Sequence, residues 1–170
     1  MEEEEWRPVQ DYPDYQVSNL GRVKSTKVCR GIHERILTPS ASRGGYLVVC
    51  LSNENGRKMF TTYRLVAIAF IPNPDSKTDV DHINRDRTDN QVSNLRWATR
   101  TENSMNMNIL GRNTSGFRGV SFRKDIRKWE AYIGVKGTRI HLGNFYTPEE
   151  AHAVYLAKAR ELYGEFFNPD

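Results

Sequence analysis

The sequence predicts an α+β chain of three small modules: an N-terminal β-hairpin module, a central β-loop-β-α unit, and a C-terminal three-stranded antiparallel sheet packed on one helix. Three observations carry that reading. Short β-rich segments recur with Asn- and Gly-containing turns between them. An apolar octet, YRLVAIAF at 63–70, suits a short buried helix and is stopped by Ile71-Pro72-Asn73-Pro74. Near the end, a Thr-Pro-Glu-Glu start signal precedes apolar residues at helical spacing. At 170 residues, with 38% hydrophobic and 11% aromatic residues, the chain supports folded cores rather than disorder. The modules divide at 1–52, 53–110 and 111–170.

The elements follow in order. YQVSNLGRVKS reads as strands at 15–18 and 22–25 around a turn at Asn19-Leu20-Gly21. YLVVCL (46–51) and RKMFTT (57–62) form a hairpin closed by Asn55-Gly56, a pair that readily supplies φ > 0. After the 63–70 helix come a strand at 79–83, a polar loop, and a strand at 95–98. A helix begins after Thr99, which stands three residues before Glu102 as in a capping box. Residues 104–115 carry the helix end and a linker. FRGVSFR, WEAYIGV and RIHLGNF then read as three successive strands with turns at 124–127 and 136–138. Thr147, Pro148 and Glu150 occupy the N-cap, N1 and N3 positions of the last helix. Its sheet-facing stripe is Ala151, Val154, Tyr155, Ala159 and Leu162. Trp6, Trp97, Trp129, Tyr132 and Phe145 are expected in cores. The tetrapeptide VSNL occurs at 17 and at 92, too short a match to make an internal repeat.

Charge and cysteine usage narrow the function classes. The net charge is +4 with a pI near 9.1, but the excess is local. Between 112 and 139 there are eight Lys or Arg against Asp125 and Glu130, a local +6, which points to a polyanionic partner. Cys29 and Cys50 lie in no CxxC or Cys/His cluster, so no zinc site or disulfide scaffold is expected and both read as core or strand residues. The start, MEEEEW, is acidic where a signal peptide is basic and then apolar, and no apolar run approaches a membrane span. An intracellular protein with no membrane partner is expected.

The stretch VDHINRDRTDNQVSNLRWATRTEN, 80–103, holds the chemistry. Asp81 and His82 are neighbours on a strand, so their side chains leave on opposite faces and their roles differ. A hairpin closing onto the following helix would bring Asn103 opposite Asp81. A carboxylate and an amide oxygen make a hard oxygen site that leaves positions for water and phosphate, as Mg²⁺ and Mn²⁺ prefer. An imidazole, ordinarily titrating near ~6.5, suits His82 to take a proton from an attacking water. Asn94 would hold the loop backbone or the imidazole. The same residue types equally suit a network of turn hydrogen bonds among Asp81, Asn84, Asp86, Asp89, Asn90 and Asn94.

This stretch resembles the motif of HNH endonucleases, in the H-N-N variant of phage and intron-borne homing enzymes. The likeness rests on the Asp-His start, Asp89-Asn90 in the loop, the NLRW strand and the terminal Asn. The resemblance implies a ββα-metal hairpin in which Asp81 and Asn103 bind one Mg²⁺ or Mn²⁺, His82 is the general base and Asn94 its positioning partner. Tyr63 stands where many members have His, and Asn103 where many have a stronger His ligand. WRPVQDYPDYQVSNLGRVKS is similar to the nuclease-associated module that precedes such motifs and contacts DNA. The segment 116–168 resembles the Apetala/ethylene-response-factor domain, whose sheet enters the major groove. That likeness implies Arg118, Arg123, Arg139 and His141 toward DNA, with Arg127 and Lys128 near phosphates. Ser121 and His141 depart from the arginine and aromatic of plant members. The expected function is a metal-dependent, site-recognising DNA endonuclease, a monomer acting on double-stranded DNA in a phage-infected bacterial cell. A sequence-specific DNA-binding protein that keeps the scaffold without catalysis is the alternative, and no RNP-type motif or GXXG clamp favours RNA.

Overall fold

A computed structural model of the chain describes residues 3–28, 33–107, 113–135 and 137–169. Cys29, Arg112, Lys136 and residues 108–112 of the expected linker lie outside that set. The chain forms two compact units, Met1–Thr99 and Arg100–Asp170.

In the first unit, strands β1 (Trp6–Val9), β2 (Tyr12–Ser18), β3 (Val23–Ser25) and β4 (Arg35–Ile36) make an antiparallel sheet in that order. Strands β5 (Ser40–Ala41), β6 (Leu47–Asn53) and β7 (Gly56–Thr61) make a second. Alternation along β2 and β6 sends Tyr15, Val17, Val49 and Leu51 inward. Helix α1 (Thr62–Phe70) adds Leu65, Val66 and Ala67, and the short pair β8 (Asp79–His82) and β9 (Leu95–Ala98) adds Val80 and Leu95. These residues form one continuous core. Burying Leu51 or Val66 fully contributes ~1.5–3 kcal/mol each relative to exposure. Helix α1 stops because Pro72 follows; the Ile71 amide still bonds Ala67 O at 3.0 Å, and the Trp97 indole donates to Ile71 O at 2.9 Å. The expected division at residue 52 falls within β6, and core side chains on both sides of it pack together.

Cys50 lies on β6, a strand residue with its side chain exposed. One expectation needs correction here. Trp6 is half-buried outside the core, with the Arg22 and Lys24 cations 5.8 and 4.6 Å from its ring centroid. Its ring meets Lys24 on the outer face of the sheet, since alternation along β3 turns Val23 and Ser25 inward and Lys24 outward.

The second unit holds α2 (Arg100–Met105), the antiparallel sheet β10 (Val120–Arg123), β11 (Lys128–Val135), β12 (Thr138–Phe145), and α3 (Pro148–Tyr163). Helix α3 opens on a complete capping box: the Glu150 amide donates to Thr147 Oγ1 at 3.2 Å, and the Thr147 amide donates to Glu150 Oε2. Ala151, Tyr155 and Ala159 pack on Val120, Ala131 and Ile133 of the sheet. Val154 and Leu162, expected on that stripe, are 36% and 38% exposed, because the small sheet covers only a narrow strip of the helix. Tyr132 is also not core: alternation along β11 turns Ala131 and Ile133 inward and leaves Tyr132 on the outer face, under the Arg139 guanidinium at 3.5 Å. Gly119, at φ +69°, is required, since a Cβ there would lie 2.2 Å from the Tyr155 ring.

Candidate active site

Pairing of β8 with β9 sets Asp81 opposite Arg96 and His82 opposite Leu95. Asp81 is 4% exposed, and Arg96 engages its Oδ2 through Nε at 2.9 Å and Nη2 at 2.8 Å. His82, 6% exposed, leaves on the other face and has a different set of neighbours. The Tyr63 ring meets it edge-on at 5.2 Å, and the Tyr46 ring lies 6.0 Å away. Its Nε2 is 2.9 Å from Asn90 Oδ1, inside the fold. The Arg87 guanidinium covers Tyr46 at 4.8 Å and donates to Gly44 O.

The polar loop between the strands sorts into two groups. Asn84, Asp86, Asp89 and Asn94 build a turn network. Asn94 Oδ1 accepts from the Asn84 amide, and Asn94 Nδ2 donates to Asn84 Oδ1 and to Asp89 O, at 2.7–2.9 Å. Asn84 Nδ2 reaches Asp89 Oδ2 at 2.8 Å. Asp86 accepts from the Thr88 hydroxyl at 2.7 Å and from its amide at 2.9 Å, and those bonds hold its carboxyl below the ordinary aspartate value. Asp81 and Asn90 instead face Arg96 and His82. Asn94, expected on the loop backbone or the imidazole, bonds the loop backbone. Asn103 is on α2, in the second unit, so it and Asp81 do not share a compact unit.

The donor chemistry suits a hard divalent ion. Among the described residues no three His, Cys, Asp or Glu side chains gather around a common point. Of the expected ligands, the Asp81 carboxylate is a hard oxygen donor of the kind Mg²⁺ and Mn²⁺ accept, with water and phosphate filling most of the shell.

On the second unit, the expected DNA-facing residues lie on β10 (Arg123), β11 (Lys128) and β12 (Arg139 and His141) and in the adjoining loops (Arg118 and Arg127). Arg139 donates to Glu130 Oε2 at 2.7 Å, Arg123 lies 3.9 Å from Glu130 Oε1, and His141 Nε2 is 3.8 Å from the same oxygen. Arg123 also forks onto Asp125 at 2.9 and 2.6 Å, which holds that carboxyl down and the guanidinium pKa up. Lys128 sits 4.5 Å over the Tyr146 ring, and Arg127 turns the β10–β11 loop at φ +51°. Arg118 differs from these: it is half-buried and donates to Met105 O at 2.6 Å and to Met107 O, inside the unit.

The sequence reading missed three contributors to the site: Arg96, Tyr46, and the specific contact of Asn90. Asp89-Asn90 was visible as a pair, but only the folded loop shows which of the two reaches the histidine.

Comparison with known proteins agrees with this geometry. Residues 4–52 match the NUMOD4 motif and residues 62–105 match the HNH endonuclease family. Uncharacterized HNH endonuclease L247 of Acanthamoeba polyphaga mimivirus is 38% identical over 99 residues, 56% of this chain and 23% of that protein. DNA endonuclease I-HmuI of Bacillus phage SP01 is 34% identical over 110 residues, 62% of this chain and 60% of that one. Protein 3.8 of Escherichia phage T7 is 32% identical over 87 residues, 51% of this chain and 71% of that one. This chain spans only 23% and 28% of the two mimivirus relatives' length. A solved structure titled "DNA binding and cleavage by the HNH homing endonuclease I-HmuI" shares the fold, with a TM-score of 0.53, 24% identity, and coverage of 93% of this chain and 83% of that one. With the Asp-His strand, the Asn-rich loop and the NLRW strand folded as one hairpin, this chain belongs to the HNH endonuclease family.

Proposed function

We propose that the chain is a metal-dependent, site-recognising DNA endonuclease of the homing type, hydrolysing phosphodiester bonds to 5′-phosphate and 3′-hydroxyl ends. The observation that carries this is the His82 setting: an imidazole on a strand end, boxed by Tyr46 and Tyr63 and held at Nε2, one residue from a buried carboxylate. A scaffold has no need of a side chain with that chemistry fixed that way.

His82 accepts the proton of the attacking water. Asn94 keeps the loop in place through its three bonds. Asp81 and Asn103 would hold one Mg²⁺ or Mn²⁺, which when bound supplies charge stabilisation for the phosphate and the departing 3′ oxygen. Arg96 fixes the Asp81 carboxylate in orientation. A single hairpin offers few base contacts, and each mismatched base pair costs ~1–3 kcal/mol, so recognition belongs to appended modules. In this reading 1–52 is a DNA-contacting module, 53–110 the nuclease and 111–170 an Apetala/ethylene-response-factor-like module. Arg123, Arg139 and His141 face base edges, Arg127 and Lys128 face phosphates, and Arg118 braces the module. The protein acts as a monomer on double-stranded DNA inside an infected bacterial cell.

Incubation with supercoiled DNA carrying the gene's own flanking sequence tests the reading. Nicked or linear product with Mg²⁺ or Mn²⁺, and none with EDTA, is expected. DNA that shifts on a gel yet stays intact with every metal would favour the non-catalytic binder.

A further inference from the structure

The N-terminal module packs against the nuclease loop. Its turn at 18–22 is tightly bonded, with the Ser18 amide on Arg22 O at 2.8 Å, the Arg22 amide on Ser18 Oγ at 3.0 Å and the Gly21 amide on Ser18 O at 3.1 Å. That turn sits directly on the nuclease loop. The Val92 amide donates to Asn19 O at 2.8 Å, so the two VSNL tetrapeptides meet in space. Gly21, at φ +80°, lies so close to Asn90 that a Cβ would be 2.9 Å from both Asn90 Cβ and Asn90 O. Only glycine fits there. Asn90 is 3% exposed, with Oδ1 on His82 Nε2 and with Nδ2 buried and unpartnered. A buried amide with one end unsatisfied is costly, and such groups mark positions kept for something other than stability.

We infer that Asn90, seated by the 19–21 turn of the N-terminal module, is the positioning residue that sets the tautomer and ring orientation of His82. This rests on His82 being the base. An amide oxygen facing Nε2 requires the proton on Nε2, which puts the imidazole lone pair on Nδ1, the nitrogen that then takes the proton from water. The N-terminal module thereby acts on the chemistry through a chain of contacts, Gly21 to Asn90 to His82, as well as on binding.

The test uses the full-length, metal-free protein with ¹⁵N-labelled histidine; His82 is assigned among the four histidines by comparison with His82→Ala. At a pH where the ring is neutral, the wild type is expected to show the Nε2–H tautomer, and Asn90→Leu a shift toward Nδ1–H. Asn90→Asp, which keeps an oxygen before Nε2, retains the wild-type tautomer and more cleavage than Asn90→Leu. Gly21→Ala, which displaces Asn90 without touching His82, lowers kcat on the order of 10- to 100-fold with KM and DNA affinity unchanged. An Nδ1–H wild type, or an Asn90→Leu protein with wild-type tautomer and kcat, would overturn the inference. Failure of the base assignment reads out separately: His82→Ala would then still cleave, whatever the tautomer shows.

Discussion

Two aspartates five residues apart are held by opposite means. Asp81 is buried and matched by Arg96 at 2.8 Å, whereas Asp86 is at the surface and matched by the Thr88 hydroxyl and amide. Removing one partner of a buried pair leaves a charge in a poorly solvating place, so Arg96→Met is expected to destabilise the first unit by ~3 kcal/mol in chemical denaturation; a loss near zero would show that the pair is not buried in solution. For Asp86 the folded-state value is depressed, so the Thr88 bond stabilises above the unfolded aspartate range and is lost as pH falls through the folded value. Thr88→Val should move the Asp86 titration upward, as followed by carboxyl ¹³C shifts, and an unchanged titration would contradict the assignment. At this scale much was legible. Asp81, His82 and Asn94 stood out as residue types at spacings that carry chemistry. Arg96 did not, because its importance comes from cross-strand register, and register is set by the folded hairpin rather than by residue identity. Asn90 was visible as half of the Asp89-Asn90 pair, but nothing in composition separates the one that meets the histidine from Asn84, Asp86, Asp89 and Asn94, which tie the turn.

The elements with strong local signals match expectation closely. Helix α3 starts where its Thr-Pro-Glu-Glu signal places it, and strand β9 spans 95–98 as read. Thr147→Ala removes one acceptor of the capping box and should cost ~1 kcal/mol of the second unit's stability, measured by urea unfolding. Gly119→Ala should cost on the order of 2 kcal/mol or more, since it adds backbone strain to a clash with the Tyr155 ring; a neutral result would mean that the β10 approach to α3 is looser than described. What the sequence hid were elements without a pattern. Strands β4 and β5 are two residues each, exposed, and pair with β3 and β6. Strand β1 contains Pro8, which reads against a strand, but β1 is an edge, where proline is tolerated. The stripe on α3 was drawn too wide because periodicity shows which residues share a face and not how much of that face a three-stranded sheet can cover.

For the whole molecule, the sequence suggested three modules and the contacts group as two units, 1–99 and 100–170. The reason is the shared core: Val17 and Val23 from the first sheet pack with Val49, Leu65, Val80 and Leu95 from the segments that follow, which sequence periodicity cannot reveal. Charge acts at this scale too. The net +4 is modest, but the cluster between 112 and 139 concentrates it, so DNA affinity should fall steeply and log-linearly with salt as counterions are released. A flat salt dependence would remove electrostatics from the account of binding. In the proposed function His82 takes the proton from water, Asp81 and Asn103 serve the metal, and the flanking modules hold DNA. The decisive measurement is single-turnover cleavage by His82→Ala together with its DNA affinity. The rate is expected to fall by ~10²–10⁴-fold at unchanged affinity; cleavage at the wild-type rate would mean that another group takes the proton.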